Sequence, residues 1–295
     1  MSMVALRRSV RGAEASALAR ALEDPIFELI PIKSLPEQLP HLPAGALVSV
    51  TASPNKTIEA TVDAARDLQA AGFRAMPHLA AHMIRDRAHL TDLLASARSG
   101  GLTRAFVVGG DAHDPGDFRD GLSLLRAMDE LGHPFAHLGC PAYPQGHPDI
   151  PSNALLGALR DKAPYVEHVT TQLGFDTAAV ASWVAERRAE GFAPSVVIGV
   201  PGVADPQKLL SIATRIGVAD AKRFVTKNLR FVVGLARSGG FFKPTKFVEG
   251  VAPLLADPST RVTGFHLYTF NAVEATEAWR REQLERLGAA VAVPA

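Results

Sequence analysis

Cysteine is nearly absent: Cys140 is the only one in 295 residues. An intrachain disulfide is therefore excluded, and a reducing cytoplasm is the simplest home. An excess of charge of either sign is missing too. The chain has 31 Lys and Arg against 30 Asp and Glu, a formal net charge of +1, so nothing points to nucleic acid or an anionic membrane as partner. No apolar run approaches the ~18 residues of a membrane span. The opening "MSMVALRRSVRGAEASALARALED" lacks the unbroken apolar stretch of a signal peptide. A helical arm over 1–24 is expected instead, and a frayed tail over 287–295. Missing as well are a G-x-G-x-x-G after a strand, a His-x-His on an early strand and an H-E-x-x-H helix. Those gaps remove the fingerprints of a dinucleotide fold, a metal-dependent barrel hydrolase and a zinc protease, and no metal site is expected.

What is present is the composition of a globular protein, 47% hydrophobic and 21% charged. Short apolar runs recur: "IFELIPI" (26–32), "ALVSVT" (46–51), "RAMPHLA" (74–80), "RAFVVGG" (104–110), "FAHLGCP" (135–141), "VEHVTTQ" (166–172), "PSVVIGV" (194–200) and "VTGFHLYTF" (262–270). Several do not alternate with polar residues, which suits strands covered on both faces. Amphipathic segments such as 57–72 and 177–191 lie between them, with Gly72 and Gly191 placed to end helices. The gap 33–45 is Pro-rich and too short for an ordinary crossover helix. The gap 201–261 has room for helices at about 206–217, 219–238 and 244–257. Eight strands alternating with helices predict an α/β fold, a single (β/α)8 TIM barrel over 1–295 with extra helices before the last strand. An open doubly wound sheet is the alternative. No linker, repeat or low-complexity tract divides the chain.

In a barrel the chemistry gathers at the C-terminal strand ends. There the sequence offers Glu28, Thr51, His78, Asp111, Tyr143 and His147, Gln172 followed by Phe175 and Asp176, and His266 with Tyr268. Glu28 stands between Phe27 and Leu29, and a carboxylate inside an apolar strand is costly unless it has work to do. Asp111 follows Gly109 and Gly110 and is equally suited to capping a turn. His78 also reads as a core histidine bonded to backbone, and Gln172 as a bridge to a neighbouring strand. Cys140 reads as a small packing residue, Lys56 as solvated, and Arg187 and Arg188 as a helix surface.

Taken in order, these stretches resemble the methylenetetrahydrofolate reductase family over about 26–272. "FELIPIK" resembles F-E-F-F-P-P-[KR], and "VSVT" the family's second strand. "MPHLAAHMIRDRAHLTDLL" resembles the P-H-L-T-C segment with its helix, and "VVGGD" stands where the family has L-R-G-D. "AYPQGHPD" resembles A-x-Y-P-E-x-H-P-E, "VTTQLGFD" resembles I-T-Q-x-F-F-D, and "FHLYTFN" resembles F-H-x-Y-T-L-N. The resemblance implies a (β/α)8 flavoprotein oxidoreductase. It implies reduction of 5,10-methylenetetrahydrofolate to 5-methyltetrahydrofolate with FAD and with NADH or NADPH as electron donor. That is a step of one-carbon metabolism which feeds methionine biosynthesis. Glu28 matches the family's general acid, and Asp111 the aspartate that binds the pterin near the flavin. Thr51, His78, Gly109, Gly110, Asp111, Tyr143 and His147 match the cofactor contacts, and Asp111 and Gln172 the substrate contacts. A tetrahydrofolate is thus the expected partner, and a homo-oligomer stays open.

Three positions depart from the family. Its Arg in L-R-G-D is Gly109, its flavin-side Lys aligns with Asp161 (Lys162 is one step off), and an Arg after the last motif is Ala272. The first two remove positive charge from the flavin side, so FAD is expected to bind, but more weakly than in a typical relative. The third bears on the folate tail. The alternatives are a flavin-free reductase of the same family with direct hydride transfer, and a non-catalytic folate-binding relative.

Overall fold

The computed structural model describes residues 10, 12–53, 55–110, 115–147, 149–205 and 240–291. The helices expected at about 206–217 and 219–238 lie outside the described residues, as does Asp111. Eight parallel strands close into a barrel in chain order: β1 (Ile26–Leu29), β2 (Leu47–Val50), β3 (Arg74–Ala80), β4 (Arg104–Val108), β5 (His137–Ala142), β6 (His168–Thr171), β7 (Ser195–Pro201) and β8 (Val262–Tyr268). The described helices are α1 (Ala13–Glu23), α2 (Leu35–Gln38), α3 (Ile58–Ala70), α4 (Arg87–Ser99), α5 (Gly121–Leu131), α6 (Ser152–Lys162), α7 (Thr177–Ala189), α8 (Thr245–Ala256) and α9 (Val273–Val291). This is the (β/α)8 architecture the sequence predicts, including the short crossover after β1. None of these helices is long and apolar enough to cross a membrane.

Alternation along the strands divides the core in two. Phe27, Leu29, Val48, Val50, Val107, Val169, Ile198 and Leu267 face outward and pack with the helices. The opposite set fills the lumen. Ile26, Leu47, Met76, Phe106 and Val197 form a separate apolar cluster, and above it the same faces carry polar side chains. The rings of Phe106 on β4 and His266 on β8 lie 6.3 Å apart. Those strands are not neighbours, so the contact runs through the barrel interior.

Helix ends follow local chemistry. The Asp120 side chain accepts from the Ser123 N–H in a capping box, and Asp176 accepts from the N–H groups of Ala178 and Ala179. Asp176, grouped by the sequence with the strand-six end, is thus a helix cap. Gly72 and Gly191 have φ of 91° and 76° just past α3 and α7, the left-handed stop expected of them.

One reading changes. Arg187 is 4% exposed rather than on a surface. It lies over the Trp183 ring, and its guanidinium donates to Glu190 at 2.7 Å. Helix α9 continues to Val291, and Leu287, the first residue of the expected tail, is buried.

The seam between β8 and β1 is locked at the mouth. Phe270 and Asn271 are both left-handed, with φ of 49° and 57°. That turn lets the Asn271 side chain accept from the Ile30 N–H at 2.8 Å and donate to the Ile30 carbonyl at 2.9 Å. The Thr269 hydroxyl donates to the carbonyl of Glu28. The chain just after β1 is held by these bonds, and with it the backbone of Glu28.

Candidate active site

Glu28 points into the lumen and is 8% exposed. Its Oε2 lies 3.1 Å from His266 Nε2 and 4.0 Å from His78 Nε2. His78 Nε2 is hydrogen-bonded to Ser49 Oγ at 2.7 Å. Strands β1, β2, β3 and β8 therefore bring one carboxyl, one hydroxyl and two imidazoles to one place. The register explains it, since Glu28 pairs with Ser49 on one side and Tyr268 on the other.

Burial sets the charges. It pushes His78 down to about 4, against the pull of Glu28 and with help from His266. His168, deeper in the lumen, is likewise pushed down to about 4 by burial, with Glu167 opposing. Both imidazoles are neutral at pH 7. The Tyr268 phenol is held well above its usual range by burial and then by Glu28 and Tyr143. Its hydroxyl donates to the Thr171 carbonyl at 3.1 Å, and its ring packs on His266 at 4.8 Å. The bare backbone of Gly199 makes room for it, because a Cβ there would stand 2.7 Å from the Tyr268 ring and 2.2 Å from the Thr171 carbonyl.

The other sequence-predicted residues ring the mouth. The Thr51 N–H extends the β1–β2 pairing by donating to the Leu29 carbonyl at 3.0 Å. Tyr143 and His147 meet edge to face at 5.4 Å, and burial raises the Tyr143 phenol. Half-buried Gln172 accepts from the Leu173 N–H at 3.0 Å. Gly110 has φ of 90°, a turn that suits glycine. The Gly109 carbonyl accepts from the His82 N–H at 2.9 Å. So Glu28 and His78 come together, Thr51, Gly109, Gly110, Tyr143, His147 and Gln172 stand around them at the strand ends, and Asp111 lies outside the described residues.

Ser49 and His266 belong to this constellation, with His168 deeper in the lumen, and the sequence reading assigned them no role. A signal existed for His266: "FHLY" sets His266 and Tyr268 between Phe265 and Leu267, the same polar-between-apolar spacing that singled out Glu28. Among the described residues no group of three or more His, Cys, Asp or Glu is arranged to hold a metal ion. Cys140 is fully buried and burial raises its thiol, as suits a packing residue.

Comparison with known proteins gives two kinds of finding. The family described as methylenetetrahydrofolate reductase matches residues 33–282, a span that begins after Glu28. Among solved structures, the barrel is similar to an uncharacterized protein from Clostridium thermocellum that binds two copies of 5-methyl-5,6,7,8-tetrahydrofolic acid. That likeness has 12% identity and a TM-score of 0.60, covering 93% of this chain and 100% of that one. A plant class V chitinase mutant from Cycas revoluta is also similar, at 11% identity and a TM-score of 0.48, with 88% and 98% coverage.

Proposed function

The chain belongs to the methylenetetrahydrofolate reductase family, and from that premise we propose that it reduces 5,10-methylenetetrahydrofolate to 5-methyltetrahydrofolate with NADH or NADPH. The observation that carries the reading is Glu28, a buried carboxyl at the mouth of the barrel with an imidazole at 3.1 Å. Binding alone gives such a group no work. The neighbour of the same fold binds 5-methyl-5,6,7,8-tetrahydrofolic acid, which supports a reduced folate at this mouth.

The reaction consumes one hydride and one proton. Glu28 donates its proton to N10 of the folate, the N10–CH2 bond breaks, and a 5-iminium cation forms. Hydride from the nicotinamide then adds to the methylene carbon and leaves the N5-methyl group. The Gln172 amide binds the pterin edge. By its match to the family's aspartate, Asp111 is assigned the binding of the pterin and the stabilisation of the developing positive charge, an electrostatic role of the oxyanion-hole kind with the sign reversed. The neutral His78–Ser49 pair keeps a second cation away from that charge.

The diphosphate of FAD is an anion that gains from Arg or Lys partners. At Gly109 no atom of the described residues lies within 4 Å of where a Cβ would stand, and the position carries no cationic side chain. Asp161 and Lys162 line a cavity of about 230 Å³, with Asp120 as a third charged wall. Two carboxylates against one ammonium repel a diphosphate. The described residues do not fit the FAD diphosphate at this cavity. Hydride passes directly from the nicotinamide, whose own diphosphate lies away from Asp120 and Asp161.

The test is NADH and NADPH oxidation by protein stripped of flavin. Oxidation that depends on methylenetetrahydrofolate and yields 5-methyltetrahydrofolate is expected. No turnover without flavin, and recovery on adding FAD, would restore the flavin. No turnover under either condition would overturn the reductase.

A further inference from the structure

We infer that His266 is a positioning residue for Glu28: its Nε2–H holds Oε2 of the carboxyl, and this leaves Oε1 as the atom that passes the proton to the folate. The inference rests on the reductase reading and names a group it does not require.

Three observations carry it. His266 is 1% exposed, and its Nε2 lies 3.1 Å from Glu28 Oε2. Its Nδ1 is also buried and has no hydrogen-bond partner among the described residues. Those facts select a tautomer. A proton on Nδ1 would orphan a buried donor there and set the Nε2 lone pair against the carboxylate oxygen, whereas a proton on Nε2 leaves one unpaired acceptor and makes the bond to Oε2. The proton therefore sits on Nε2 and is donated to Oε2. Third, the neighbours do not compete for that oxygen. The titratable groups facing Glu28 are His78 from β3 and His266 and Tyr268 from β8, while β2 presents the neutral Ser49. His78 is spent on Ser49 and sits 4.0 Å from Oε2, beyond a hydrogen bond. Tyr268 is spent on the Thr171 carbonyl.

The consequence is chemical. When the Oε1–H bond breaks and the N10–H bond forms, the electron pair stays on the carboxylate. A donor on Oε2 stabilises that charge and holds Oε1 toward the folate. Loss of the donor is therefore expected to lower kcat for folate reduction with little change in the folate KM, and a conservative donor in its place is expected to restore kcat. A merely structural defect lowers stability along with activity and is not rescued in this way.

The test compares His266→Leu, which removes the donor, with His266→Gln, whose amide N–H reaches the same place. The kcat and folate KM are measured for each, and the Glu28 carboxyl band is followed by infrared spectroscopy in folate-free protein, with Glu28→Gln to assign it. For H266L the expected result is a loss of about tenfold or more in kcat with the folate KM nearly unchanged and a displaced Glu28 band, with most of both restored in H266Q. An unchanged kcat and band in H266L, or H266Q as impaired as H266L, would overturn the inference. If H266L does not fold, H266A carries the same comparison. If the wild-type protein reduces no folate, the reductase reading falls, and the infrared band still decides whether His266 holds the Glu28 carboxyl.

Discussion

Acidification from pH 7 to pH 5 is expected to cost this barrel about 4 kcal/mol of folding stability through two histidines inside the lumen. His78 and His168 are 9% and 7% exposed, and burial holds each at about 4, against ~6.5 in an unfolded chain. The folded pKa lies below the unfolded one, so between the two values the unfolded state binds more protons and stability rises with pH. The stability is full above about pH 6.5, declines as pH falls, and stops declining below about pH 4. Linkage over these two values gives about 2 kcal/mol per histidine between pH 7 and pH 5. The assay is urea unfolding at several pH values, followed by the fluorescence of Trp183 and Trp279, both buried. His168→Gln removes one titrating group and is expected to halve the slope. A flat stability between pH 7 and pH 5, or the same slope in H168Q, would refute the placement of uncompensated imidazoles in the lumen.

Further outcomes follow from the mouth. Asn271→Ala removes both bonds to Ile30 and leaves alanine in a left-handed turn; a loss of about 2–4 kcal/mol is expected in urea unfolding, and unchanged stability would show that the seam needs no lock. Gln172→Ala is expected to raise the folate KM about fivefold with the nicotinamide KM nearly unchanged, the scale of one net hydrogen bond. A lower melting temperature with an unchanged KM would make Gln172 structural. Titration with FAD is expected to show no saturable binding at micromolar concentrations, and tight binding that raises turnover would contradict the charge argument at Gly109 and Asp161.

The barrel was legible because its outward strand faces are almost wholly apolar. Runs such as "RAFVV" and "PSVVIGV" exist only because helices cover them. Strand ends were less legible. The sequence carries β4 to Gly110, but left-handed Gly110 turns the chain away, and β4 stops at Val108. It carries β8 to Phe270, where the Phe270–Asn271 turn breaks the extended backbone two residues earlier. The site was legible where a polar residue interrupts apolar neighbours, as Glu28 does. It was not legible for Ser49 and His168. Small or neutral polar residues in strands are ordinary, and only the register shows that they point inward. Arg187 misled because its cost of burial is met by Glu190 and Trp183, partners that no spacing argument singled out.

The central claim is that Glu28 protonates the folate and the nicotinamide reduces it directly. It is tested most directly by one single-turnover experiment with NADH deuterated at the transferred position, using flavin-free wild-type protein and Glu28→Gln. Mass spectrometry of the product is expected to find one deuterium in the N5-methyl group from the wild-type protein. From E28Q, at least about 10²-fold less product is expected over the same time, the scale of a lost general acid. Product formed equally fast by E28Q, or methyl groups that carry solvent hydrogen instead of the label, would contradict it.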